Sequence, residues 1–187
     1  QAIALVLRDH EKLLHKLAQR YASALASHGW TVQGALHQTR IHPTVVEPRP
    51  GVVGYLLIDA LRYEMGAELA RMLDGVEDLQ LQPAIAALPS ITQVGMAALL
   101  PGAATDFDVV AHGSDLAARV DGVIVASAKD RWDHLRARVP KVFVTRLDSV
   151  LHAQESKLRA EVAGQSLVLV HATDIDELGE KGNDWAA

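Results

Sequence analysis

The sequence predicts an α/β protein, a doubly wound and mainly parallel sheet with an N-terminal helical extension. From residue 52 onward, short apolar runs alternate with amphipathic stretches, the rhythm of successive βαβ units. Ala, Leu and Val carry most of the apolar content and aromatics make up only 4% of it all, as expected where helices pack on strands buried on both faces. A chain of 187 residues is one ordinary domain with room for a small appendage.

From Ala2 to about His28, Leu13, Leu14, Leu17, Tyr21 and Leu25 recur at helical spacing among Lys, Arg, Glu and Gln, which predicts a long amphipathic helix. Gly29 supplies its stop signal, and Pro43, Pro48 and Pro50 punctuate a connector. Residues 1–50 therefore read as a helix and proline-rich connector, and residues 51–187 as the sheet domain. There the pattern predicts a strand over Val52–Ile58, a helix over Arg62–Leu73, a strand over Leu79–Ala87 and a helix over Thr92–Leu100. Val123–Val125, Val142–Val144 and Leu167–Val170 read as further buried strands, separated by helices around Asp130–Arg138 and Leu147–Val162.

Composition narrows the function. A formal net charge of −5 gives no chain-wide basic footprint for nucleic acid. With no cysteine, a metal would have to be held by carboxylate, imidazole, hydroxyl or water, and no disulfide framework exists. No apolar run approaches the roughly 20 residues that span a bilayer, and the start lacks a signal-peptide pattern. These features predict a cytoplasmic protein with no membrane partner. The start on Gln1 and the stop at Ala187 shortly after a candidate site segment suggest a piece of something longer.

Three segments carry chemistry. In Leu56-Leu57-Ile58-Asp59-Ala60-Leu61-Arg62-Tyr63-Glu64-Met65 an apolar strand ends on a carboxylate, where open α/β sheets bind ligands; Asp59 is either a ligand of a metal or a cap on the following helix. Arg62 could clamp a phosphate bidentately, while Glu64 reads as a salt-bridged surface residue. In Pro89-Ser90-Ile91-Thr92 a hydroxyl opens a helix, and Ser90 or Thr92 is either an N-cap or a nucleophile. After Leu167–Val170, the residues His171, Asp174, Asp176 and Glu180 fall within ten positions; a lone strand-end His such as His171 is more simply a supporting residue than a ligand. His15, His28, His37, His42, His112, His134 and His152 have no spacing that suggests a shared metal. The glycine fingerprint of a dinucleotide-binding protein is absent after Ile58.

These segments, together with Leu88–Gly102, resemble the motifs of PglZ domains of the alkaline-phosphatase superfamily, over approximately Val52 to the C-terminus. The resemblance implies a sheet of alkaline-phosphatase type and a metal-dependent phosphoesterase. It also implies divalent ions, zinc foremost with manganese or magnesium as alternatives. Asp59 would be the first ligand, Thr92 the metal-activated nucleophile with Ser90 as alternative, and Asp176 and Glu180, with Asp174, the ligands at the second strand end. Glu180 stands where many members of the superfamily have His. The implied substrate is a phosphoester, a nucleotide or nucleic-acid backbone among them, and the implied partners are other phage-defence proteins. The Asp-His pair that normally completes the metal site does not follow Asp184, so catalysis by this chain alone is not expected. The alternative is a non-catalytic interaction module on a degenerate phosphatase-like fold.

Overall fold

The computed structural model describes residues 2–30 and 32–180. Its contacts divide the chain into two units, Gln1–Ala35 and Leu36–Ala187, described here separately. In the first, α1 (Ala2–His28) is the helix that the periodicity predicts. Gly29, at φ 75°, ends it by donating its N–H to Leu25 O at 2.8 Å, a geometry that a Cβ would disfavour. Within this unit nothing covers Leu13, Leu14, Leu17 or Tyr21. Among the described residues, no helix is long and apolar enough to cross a membrane.

The second unit contains, in order, β1 (Leu36–His37), β2 (Val53–Ile58), α2 (Tyr63–Met72), β3 (Ala84–Ile85), α3 (Thr92–Ala98), β4 (Phe107–His112), β5 (Asp115–Val120), β6 (Val123–Val125), α4 (Ala128–Arg138), β7 (Val142–Arg146), α5 (Leu147–Leu151), α6 (Glu155–Val162), β8 (Leu167–Ala172) and α7 (Asp174–Glu180). Strands β2, β8 and β7 form a parallel sheet in that order, with β8 central. Short β1 and β3 pair in parallel. The expected α/β architecture is therefore present, and its parallel sheet is built from the apolar runs that predicted it.

One face of the central sheet makes the core. Leu57, Leu167 and Leu169 are buried against Leu100, Val120, Val125 and Leu135, with Val53, Tyr55, Val142 and Val144 at the margin. Burying each large aliphatic side chain contributes about 1.5–3 kcal/mol, so this contiguous set dominates the stability of the unit. Leu135 projects from α4, whose start is fixed by a reciprocal cap. Asp130 N–H donates to Ser127 Oγ, and Asp130 Oδ2 accepts from Ser127 N–H at 2.9 Å.

A second sheet, antiparallel in the order β4-β5-β6, stands opposite and was not expected. Its β5–β6 hairpin turns on Asp121-Gly122, both at positive φ, the pairing that two-residue hairpin turns of right-handed twist require. Consequently Val123 and Ile124 do not belong to a buried parallel strand. They are 49% and 45% exposed on an edge, and only Val125 is buried. The expected strand over Leu79–Ala87 contracts to Ala84–Ile85, because Pro83 has no N–H to extend the ladder and Leu79 and Leu81 stay exposed. The helix expected over Leu147–Val162 is two helices, with a break at His152–Gln154.

A polar joint ties this sheet to α4. Arg138 donates through Nε to Asp121 Oδ2 at 2.8 Å and through Nη1 to His134 Nδ1 at 3.2 Å, while His134 Nε2 donates to Pro101 O at 3.0 Å. With one ring nitrogen donating and the other accepting, buried His134 is neutral. Next to the joint, Gly102 has φ 92°, and a Cβ there would lie 2.1 Å from Asp121 Oδ2.

Two outcomes are expected. Gly102→Ala should cost about 1–3 kcal/mol of unfolding free energy in urea, since the left-handed backbone and the Asp121 carboxylate both oppose a side chain. Burial lowers the pKa of His134 first of all, and desolvation likewise leads for His37, His42 and His171. The unfolded chain thus binds more protons below about pH 6.5, so stability is complete above that value and is lost as pH falls through the folded-state values. Thermal melts should show Tm falling between about pH 7.5 and 5, with a shallower slope in His134→Gln.

Candidate site at the carboxyl edge of the central sheet

Parallel pairing brings the carboxyl ends of β2, β8 and β7 to one edge. Leu57 and Arg146 both stand level with His171, and Asp59 N–H donates to Ala172 O at 2.9 Å. Asp59 is half-buried at this edge. The chain then reverses through Ala60, a non-glycine residue at φ 57°, whose N–H donates to Asp59 Oδ1 at 3.0 Å. The residue that caps α2 is Arg62, so Asp59 does not serve the helix start. Arg62 is paired with Glu64 at 3.1 Å, and both side chains are mostly exposed, at 70% and 66%. Glu64 thus has the surface pairing that the sequence suggested.

Ser90 and Thr92 lie at the start of α3. Its N-cap is Ile91, extended at φ −100° and ψ 154°, and no side chain caps the helix. Neither hydroxyl does the capping that the sequence offered as the simpler explanation. Thr92 is the first helical residue and half-buried; Ser90 is exposed. Val94, Ala97 and Ala98 bury the other side of this helix. Gln38 clamps it by donating to Gly95 O at 3.0 Å and accepting from Ala87 N–H at 2.9 Å. A Cβ on Gly95 would meet Gln38 Nε2 at 3.6 Å, an ordinary van der Waals contact.

Asp174, Asp176 and Glu180 all lie on α7, directly after β8. Asp176 is half-buried, while Asp174 and Glu180 are exposed. Thr173 Oγ1 donates to Glu177 Oε1 at 2.7 Å across the first turn. Among the described residues, no three His, Asp or Glu side chains are grouped closely enough to hold a metal ion. The donors described here do not by themselves fit the divalent ion that the fold implies.

His171 faces the core side of the edge, with its ring 5.0 Å from the Trp132 ring and inclined by 30°. Burial lowers its pKa, and the charges of Arg146 and Arg131 lower it further, so the imidazole is neutral at pH 7. Arg131 is the residue that sequence reasoning missed. It is only 8% exposed, its Nε is buried without a hydrogen-bond partner among the described residues, and its guanidinium lies 5.8 Å from the Trp132 ring centre. Burial lowers its pKa, against the attraction of Asp59 and then Asp130. In sequence it is one of several arginines on a polar helix, and nothing marks it as the buried one. A separate groove, lined by Val45, Val46, Pro50 and Val52–Tyr55, flanks the opposite end of β2.

Sequence comparison places this architecture. An alignment of 79 positions that covers 38% of this chain shows 37% identity to the alkaline phosphatase-like protein BrxZ of Escherichia coli O9:H4 (strain HS). The match takes in 9% of that protein's length. No solved structure matches the chain. Residues 36–185, which take in the central sheet, α3 and the candidate edge, match the BREX system PglZ alkaline phosphatase-like domain along its run, and the chain belongs to that family.

Proposed function

We propose that this chain is a PglZ phosphatase-like module that works by assembly with other proteins of a phage-defence system, and that it is not a phosphoesterase by itself. The observation that carries this reading is the dispersion of the donors: Asp59 ends β2, while Asp174, Asp176 and Glu180 are spread along α7 and no group of three converges among the described residues. A surface suited to protein contact supports it. From α2 to Leu81 the chain exposes Tyr63, Leu69, Met72, Leu73, Val76, Leu79 and Leu81, with Met72 at 72%, interspersed with Glu64, Glu68, Asp74, Glu77 and Asp78. An apolar stretch of this extent, rimmed by charge, is what interaction sites present.

One observation favours the second reading, a metal-dependent phosphoesterase. Asp59 and Thr92 stand at element ends without capping a helix; one Asp59 oxygen accepts from Ala60 N–H, and its other oxygen and the Thr92 hydroxyl are the groups a metal would use. In that reading Asp59, Asp174, Asp176 and Glu180 are the zinc, manganese or magnesium donors that this chain contributes. Thr92, or Ser90, supplies the nucleophilic hydroxyl and can itself reach the metal, Arg62 holds the phosphate, and the substrate is a phosphoester such as a nucleotide or nucleic acid.

Metal content by mass spectrometry and hydrolysis of bis-p-nitrophenyl phosphate separate the two. The expected result is less than one equivalent of retained zinc and no hydrolysis above that of Asp59→Ala and Thr92→Ala variants. Stoichiometric metal, with hydrolysis that both substitutions abolish, would overturn the module reading in favour of the enzyme.

A further inference from the structure

Helix α1 carries a stripe that its own unit leaves in water. Ile3, Leu7, His10, Leu14, Leu17, Tyr21 and Ala24 succeed one another at alternating steps of four and three residues. Ile3, Leu7, Leu14, Leu17 and Tyr21 are each half exposed or more. Arg8 and Lys12 lie on the opposite side of the helix, where both pair with Asp9, at 3.5 and 3.8 Å. The seven-residue repeat distinguishes this stripe from a general apolar arc, since it is the spacing that keeps one helix face against another helix along its length. A lone helix in water gains little from its own hydrogen bonds, so the stripe stabilises it only when covered.

The stripe is complementary to itself when two copies run in opposite directions. With Leu14 level with Leu17 of the second copy, Leu7 falls opposite Ala24 and His10 opposite Tyr21, so a large side chain meets a small one and an imidazole meets a phenol hydroxyl. The helices then overlap from end to end with their dipoles opposed. That register also brings Arg20 of one copy near the level of Asp9 of the other, on the same flank, as opposite charges. A parallel pair would instead set His10 against His10 and Ala24 against Ala24, and would separate these charges. Half the wall of a cylinder about 10 Å across and about 40 Å long is roughly 600 Å² per copy, so the pair hides about 1,200 Å², the size at which specific interfaces become stable.

We propose that α1 is a self-association surface, through which two copies of this chain pair as an antiparallel helical dimer. The arrangement is two-fold and closed, so it stops at two copies. His10 within the stripe, and Asp9 and Glu11 beside it, suit a helical partner and oppose an anionic lipid surface. Helix α1 precedes residues 36–185, which match the PglZ family, so the pairing stands whichever reading of the site holds.

The test is analytical ultracentrifugation of the whole chain between about 1 and about 200 μM, the range suited to an interface of this size. A reversible monomer–dimer equilibrium is expected, weakened at least tenfold in Leu14→Glu and in Leu17→Glu and unchanged in Lys12→Gln. Both leucines are exposed in the single chain, so neither change threatens its fold, as far-UV circular dichroism will verify. The sequence has no cysteine, so introduced ones report direction. In a mixture under mild oxidation, Leu7→Cys and Ala24→Cys chains should join each other, and neither should join itself. The proposal is overturned by a monomer at every concentration, by association that Leu14→Glu and Leu17→Glu leave unchanged, or by association that Met72→Ser in α2 abolishes instead. It is equally overturned by Leu7→Cys chains that cross-link among themselves, or by a monomer that floats with phosphatidylglycerol vesicles in place of dimerising.

Discussion

The parallel ladder of β2, β8 and β7 is the constraint on which the rest of the structure depends. Parallel strands share a direction, so their carboxyl ends must meet at one edge, and the register aligns Leu57, His171 and Arg146 there. Asp59, His171 and Arg146 are placed relative to that edge, and α7 with its acids follows β8 directly. Strand β8 lies in the middle and is hydrogen-bonded on both sides, which explains why Leu167 and Leu169 are among the most buried residues. Slipping β8 by one position would turn these leucines outward and carry His171 away from Trp132.

The second, antiparallel sheet covers the core face of the first. Ala117, Ala118 and Val120 of β5 are fully buried, and small side chains there let α3 approach closely. Close approach needs a fixed angle between the layers, and the chain from Pro101 O through His134 and Arg138 to Asp121 supplies it with directed hydrogen bonds. Arg138 and Asp121 remain about a third exposed, so their pair contributes orientation more than stability. In contrast, His134 is enclosed and has both ring nitrogens satisfied, which makes its neutrality part of the structure.

The edge combines a family resemblance with a local departure. Membership of the PglZ family rests on most of the chain, and within the matched range Asp59 follows β2 while Thr92 opens α3. Yet the most unusual electrostatic feature at this edge is a cation, the enclosed Arg131, not a convergence of carboxylates.

Much of the fold was legible in the sequence because its signals are local. The apolar runs at Val53–Ile58, Val142–Val144 and Leu167–Val170, the helical periodicity of Ala2–His28 and the Gly29 stop each express a preference within a few residues. The β4–β5–β6 hairpins had a signal as well, in Asp121-Gly122 between apolar runs, but the regular βαβ rhythm on either side concealed it. Asp59, Ser90, Thr92 and the α7 acids could be named from strand ends and motif likeness alone. By itself, then, the sequence determined the α/β class, the family and which polar residues lie at element ends. Only the tertiary structure decided that Asp59 and Thr92 are not caps, that the α7 acids do not converge with a third donor among the described residues, and that Arg131 is buried beside His171. The reason is physical: capping and periodicity depend on neighbours in the chain, whereas burial of a charge depends on which distant strands and helices close over it.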